Sequence, residues 1–112
     1  MKQAIIVRKD LDMGKGKIAS KSSHASVEAV MISDKKKVQE WRLEGMKKIV
    51  LKVNNLKELL ELKEVAKKNK LKFALIKDAG KTQIEEGSVT CLAIGPDEDD
   101  LIDKVTSSLK LL

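Results

Sequence analysis

The sequence predicts an α/β fold, a three-layer α/β/α arrangement around a mixed four-stranded sheet. Three observations carry this. Apolar or alternating runs of strand length recur along the chain, and segments of helical period separate most of them. The last two strand candidates follow each other across a loop of roughly a dozen residues, short enough for antiparallel pairing. Strands alternating with helices demand a sheet covered on both faces.

The elements follow in order. Gln3–Val7 is a short apolar run, as in a buried strand. Residues 10–17, with Gly14, Gly16 and alternating charges, read as a loop. From Ile18 the period becomes helical: Ile18, Ala25, Ala29 and Ile32 share a face, with Ser22 in the turn between. Small side chains on that face allow close approach to a sheet. Ser33-Asp34 and the Lys35–Lys37 cluster mark a break or bend, and a second helical stretch through Trp41 to Leu43 stops at Gly45. Lys48–Val53 alternates lysine and valine with Ile49, Leu51 and Val53, a strand with one polar face. Asn55, with Glu58 three residues on, resembles a helix-capping arrangement. The helix behind it uses Leu56, Leu59, Leu60, Leu62, Val65 and Ala66 and ends near Asn69. Lys72–Ile76 is the third strand, broken by Asp78-Ala79-Gly80, and Glu86-Gly87 marks another turn. Val89–Ile94 is the fourth strand, closed by Gly95-Pro96. Four acids, Asp97–Asp100, then open a last helix to about Ser107, where they complement its dipole.

The length of 112 residues, with 42% hydrophobic and 36% charged side chains, suits one domain, residues 1–112, with an ordinary core. Six glycines and one proline exclude a collagen-like or low-complexity chain. The longest aliphatic run, Ala4–Val7, is far short of a membrane span, and the N-terminus does not read as a signal peptide. A single cysteine, Cys91, offers neither an internal disulfide nor a thiolate set for structural zinc. A reducing, cytoplasmic setting is therefore expected.

Twenty-three cations against 17 acids leave a net charge of +6, and only Arg8 and Arg42 are arginines. Lysine is a mobile point charge suited to phosphates, whereas arginine is the usual reader of base edges. Composition alone admits two explanations: a surface for a nucleic-acid backbone, or a Lys/Glu-rich, heat-adapted surface. The distribution shifts the balance towards the first. Residues 1–21 carry six cations and two acids, residues 35–52 seven cations and two acids, and residues 85–103 seven acids and no cation. Such polarity suits an oriented polyanion. With no Tyr, one Trp and one Phe, base-stacking platforms are scarce, so an RNA partner would be gripped by backbone or shape.

One histidine, and no Gly-X-Ser-X-Gly, His-Glu-X-X-His or Walker A string, speak against a serine-triad hydrolase, a zinc protease and a P-loop enzyme. Three places remain. Met13-Gly-Lys-Gly-Lys17 leads into the first helix, where backbone N–H groups with Lys15 and Lys17 suit a phosphate or oxyanion, although such a string is equally a glycine loop with solvated lysines. Lys17, Lys21, His24 and Glu28 fall on one stripe of that helix. No carboxylate is clearly placed to orient His24, which reads better as a partly buried residue bonded to a neighbouring turn than as a general base. Asp78 stands just past a strand's C-terminal end, where open α/β sheets bind ligands, with Thr82 nearby; it is as readily a turn starter. Thr90 enters the last strand and offers a hydroxyl to the same cleft, or serves only as a β-former.

Taken in order, these strings resemble the type II, archaeal and eukaryotic family of peptidyl-tRNA hydrolases. The resemblance runs through Val7-Arg-Lys-Asp-Leu11, Met13-Gly-Lys-Gly-Lys-Ile-Ala19, Ser23-His-Ala25 and Lys48–Val53. It continues through Asp78-Ala-Gly-Lys-Thr-Gln-Ile84, Gly87-Ser-Val-Thr90, Ala93-Ile-Gly-Pro96, Leu101–Thr106 and Leu109-Lys-Leu111. It implies a mixed four-stranded sheet between helices, often dimeric, that cleaves the ester joining a peptide to tRNA. It further implies a catalytic cluster of Lys17, Asp78, Thr82 and Thr90, with His24 close by. Two positions depart from the family pattern. Lys21 stands where glutamine is usual, placing a second ammonium one turn from Lys17, and Glu85-Glu86 replaces the usual Ala-Pro.

The chemistry so implied needs no metal or cofactor. Asp78 would orient or deprotonate water, and Lys17 would stabilise charge on the carbonyl oxygen. Thr82 and Thr90 would place the water or the leaving ribose oxygen. Lys15, Lys21 and His24 would contact the tRNA, largely through phosphates. The alternatives are a non-catalytic RNA-binding module on the same basic surface and a protein–protein adaptor.

Overall fold

Among the described residues, 1–78 and 88–112 of a computed structural model, the N-terminal apolar run becomes β1 (Lys2–Arg8). It is followed by α1 (Lys15–Ile32), α2 (Lys35–Leu43), β2 (Lys48–Val53), α3 (Leu56–Lys68), β3 (Phe73–Lys77), β4 (Val89–Asp97), α4 (Asp99–Thr106) and β5 (Lys110–Leu111). The strands form one mixed sheet in the order β3-β4-β1-β2-β5. β1 and β2 are parallel, as an intervening helical crossover requires, and every other pairing is antiparallel. The expected antiparallel step is the β3–β4 pair. The sheet has a fifth member where four were expected: β5 pairs Leu111 with Leu51 and Lys110 with Lys52. Two residues are too few to show a period in sequence.

Alternation along β1 divides the core. Ala4 and Ile6 pack with Leu51, Val53, Leu59, Leu92, Ile94 and Ile102 on the face covered by α3 and α4. Ile5 and Val7 pack with Ala25, Ala29, Ile76, Cys91 and Ala93 beneath α1. The small face of α1 does lie on the sheet, as its alanines predicted, but Ile32 is turned outward and is 49% exposed. α1 has ended there, and Asp34 restarts the chain by accepting from the N–H groups of Lys36 and Lys37.

Three boundaries differ from expectation. α1 begins at Lys15 rather than Ile18, because Gly14 adopts an extended N-cap conformation and Ile18 N–H already donates to the Gly14 carbonyl at 3.0 Å. β4 runs through Gly95-Pro96 to Asp97 instead of closing there. The β1–β4 register slips between Lys2 and Ala4, so the proline's missing N–H falls in a bulge. Asp97 therefore belongs to β4, and Glu98 is the N-cap of α4. At α3, Asn55 caps Glu58 N–H at 2.9 Å as expected, while the Glu58 carboxylate accepts from Asn54 N–H, one residue upstream of the usual box.

One topological consequence sets up the site. β1 and β3 both run antiparallel to β4, and β2 is parallel to β1. The C-terminal ends of β1, β2 and β3 thus share one edge of the sheet.

Candidate active site

At that edge the chain leaves β1 and turns into α1, whose first turn carries Lys17. Asp78 follows the last residue of β3 and has a fully buried side chain. The two meet: Lys17 Nζ lies 2.5 Å from Asp78 Oδ2. Lys21, one helical turn further on, holds its Nζ 3.7 Å from the same oxygen. Both lysine side chains are largely covered. The carboxylate lies out of water beside two ammonium groups, and solvent does little to weaken their attraction. Asp78 N–H donates to the Ser88 carbonyl at 2.8 Å, which ties the end of β3 to the approach to β4.

Thr90 is buried on the adjoining strand. The β3–β4 register passes from Ile76↔Cys91 to Lys77↔Val89, so Thr90 is the extra residue of a bulge. Its Oγ1 donates to the Ile76 carbonyl at 3.3 Å. The Cys91 thiol donates to the Lys21 carbonyl at 3.3 Å, linking β4 to the turn of α1 that bears the second ammonium. Burial pushes that thiol up to about 11.

Not every expected participant joins the cluster. Lys15 is exposed at the opening of α1. His24 is exposed as well, its Nε2 3.7 Å from Glu28 Oε1, rather than tucked against a neighbouring turn. Thr82, the Ala79-Gly80 turn and the Glu86-Gly87 turn lie outside the described residues.

One contributor escapes sequence reasoning. The Arg8 guanidinium grips Asp10 with Nε–Oδ1 3.0 Å and Nη2–Oδ2 2.7 Å, and its Nη1 donates to the Val89 carbonyl at 3.0 Å. Arg8 thereby joins the β1–α1 connection to the residue preceding Thr90. Its signal in sequence is slight: an arginine and an aspartate two apart, just past an apolar run.

Such an arrangement can hold an anion or a developing negative charge at the ammonium groups and can accept a proton at the carboxylate. Comparison with known proteins bears on which of these is used. The family model described as Peptidyl-tRNA hydrolase PTH2 matches residues 1–112. A peptidyl-tRNA hydrolase of Methanothermobacter thermautotrophicus is 52% identical over 112 residues, covering 100% of each chain. Those of Haloquadratum walsbyi and Sulfolobus acidocaldarius are each 50% identical, over 111 residues with 99% of each chain covered and over 120 residues with 100% covered, respectively.

Proposed function

The chain belongs to the peptidyl-tRNA hydrolase PTH2 family and hydrolyses the ester linking peptide to tRNA, and from that premise we propose how its residues divide the work. Asp78 takes a proton from water, and the resulting hydroxide adds to the ester carbonyl. Lys17 donates to the carbonyl oxygen as it becomes an oxyanion. An ammonium has three N–H donors, so a bond to Asp78 and one to the substrate are compatible. When the tetrahedral intermediate collapses, the C–O bond to the ribose breaks and Asp78 returns its proton to the leaving oxygen. Thr82 and Thr90 position the water or that oxygen. Lys15, Lys21 and His24 contact the tRNA through its phosphates. The observation that supports this division is the 2.5 Å contact between Lys17 and the buried Asp78, with Lys21 beside it.

The test is turnover. A large excess of peptidyl-tRNA incubated with little protein should be cleaved many times over. Retardation of the substrate without release of tRNA would leave only an RNA-binding module.

We further propose that the enzyme works in the cytoplasm as a homodimer, each copy one domain over residues 1–112. Among the described residues, no helix is long and apolar enough to cross a membrane. Pairing is supported by exposed Val27, Met31 and Met46, which line a cavity of about 780 Å³ between α1 and α2. Sedimentation equilibrium should give twice the chain mass, and Met31→Lys should shift it towards the monomer.

A further inference from the structure

β3 is an edge of the sheet, hydrogen-bonded to a strand on one side only, to β4. Three bonds fix the direction of its main-chain groups. The Lys72 carbonyl accepts from Gly95 N–H at 2.9 Å, the Ile76 carbonyl accepts from Thr90 Oγ1 at 3.3 Å, and Asp78 N–H donates to the Ser88 carbonyl at 2.8 Å. Even-numbered residues therefore turn their N–H and C=O groups towards β4, and Phe73, Leu75 and Lys77 turn theirs outward. Among the described residues none of those outward groups has a partner.

Exposed edges are ordinarily blunted by proline, by charges or by a bulge in the edge strand itself. Phe73-Ala-Leu-Ile-Lys77 has no proline, its one charge comes last, and the bulged residue, Thr90, belongs to β4. The opposite edge of the sheet, β5, is only two residues long. Ala74 and Ile76 pack beneath α1 on one face of β3, while Phe73 and Leu75, half-buried, pack on the face covered by α3.

This edge leads straight into the site, because β3 is followed at once by Asp78. In the substrate, the residue esterified to tRNA is the C-terminal one of the peptide. With the ester at Asp78, a peptide lying back along β3 must run parallel to the strand. From Phe73 to Asp78 is roughly 16 Å at about 3.3 Å per residue, room for about five peptide residues.

We propose that the free edge of β3 binds the peptide of the substrate as an added parallel strand, through main-chain hydrogen bonds at Phe73, Leu75 and Lys77. This rests on the hydrolase reading above and adds how the peptide is held. Main-chain bonds give affinity without reading side chains, so the edge accepts peptides of differing sequence.

The first test varies the substrate and leaves the enzyme intact. From N-acetylalanyl-tRNA to N-acetylpentaalanyl-tRNA, kcat/KM should rise at least about tenfold, the scale of two net hydrogen bonds, and level off beyond about five residues. N-methylation of single residues of the pentapeptide should show a period of two. The loss should be about tenfold where the N–H faces β3 and within about twofold at the residues between. Leu75→Pro removes one outward donor and spares the β3–β4 ladder, so the ratio of kcat/KM on the long and short substrates should fall about fivefold. That ratio does not depend on how much of the variant is folded. A flat length profile, the result expected if a second copy paired on this edge instead, would overturn the proposal. So would methyl effects without alternation, or a parental ratio in Leu75→Pro. The hydrolase reading fails separately: it falls if the parent cleaves neither substrate.

Discussion

Lys17 and Asp78 touch at 2.5 Å although one opens α1 and the other follows β3, with three further elements of the chain between them. What joins them is topology. β4 seats β3 two places from β1, and α1, leaving β1, packs back over β1, β4 and β3.

From this pairing two variants should part company. Lys17→Ala and Asp78→Asn should each lower turnover at least ~100-fold, the scale of one lost acid–base or charge-stabilising group. Their stabilities should differ. Lys17→Ala takes the nearer of two ammonium groups from a fully buried carboxylate, and breaking a buried pair costs about 3–5 kcal/mol. Asp78→Asn keeps the shape, and the stem of Lys17 lets its charge reach water. Urea unfolding should place the lysine variant below the asparagine variant. The reverse order, or parental turnover in either, contradicts these roles.

Much of this was legible in the sequence, and the rest was hidden for physical reasons. The alternation in Lys48–Val53 and the Asn55 cap read true because each is local. That Asp78 ends a strand could be read from the Asp-Ala-Gly breaker. Its partner could not be read, since strand order is decided by packing across the whole sheet. The early start of α1 was masked by Gly14 and Gly16, which look like loop residues until the helix is seen to begin between them. Gly95-Pro96 looked like a strand end, because a bulge that absorbs the missing N–H leaves no mark of its own.

Cys91 should be chemically silent in the folded enzyme. With the thiol pushed up to about 11 by burial, only about one molecule in a thousand carries a thiolate at pH 8, and the sulfur is enclosed. Iodoacetamide should leave native enzyme active and unlabelled, and should label it quickly in denaturant. Inactivation that tracks labelling of the native protein would bring the thiol into the chemistry.

Two glycines should respond oppositely to alanine. Gly95 has φ +89, and a Cβ there would sit 2.9 Å from Asp97 N and 3.1 Å from the Lys2 carbonyl oxygen. Neither backbone neighbour moves readily, so Gly95→Ala should cost at least about 2 kcal/mol, a fall in Tm on the order of 10 °C. Gly16 lies inside α1 with nothing within 4 Å of a would-be Cβ. Gly16→Ala should raise stability by about 0.5–1 kcal/mol through helix propensity. Differential scanning calorimetry of both variants decides.

Arg8 makes two kinds of contact, and acid should separate them. Its guanidinium holds the Asp10 carboxyl below the ordinary 3.8, so the pair stabilises the fold fully above that value and is lost as pH falls through the lowered one. Asp10 is 37% exposed, which leaves the pair screened and its contribution under about 1 kcal/mol. Asp10→Asn should therefore lower Tm by a few degrees at pH 7, and the difference from the parent should close towards pH 2. The bond from Arg8 to the Val89 carbonyl does not titrate. Arg8→Ala should be less stable than the parent at both pH values. It should also lose turnover, because the strand end that presents Thr90 loses its tie to β1. A deficit in Arg8→Ala that vanished in acid would reduce Arg8 to a surface ion pair, with no part in positioning Thr90.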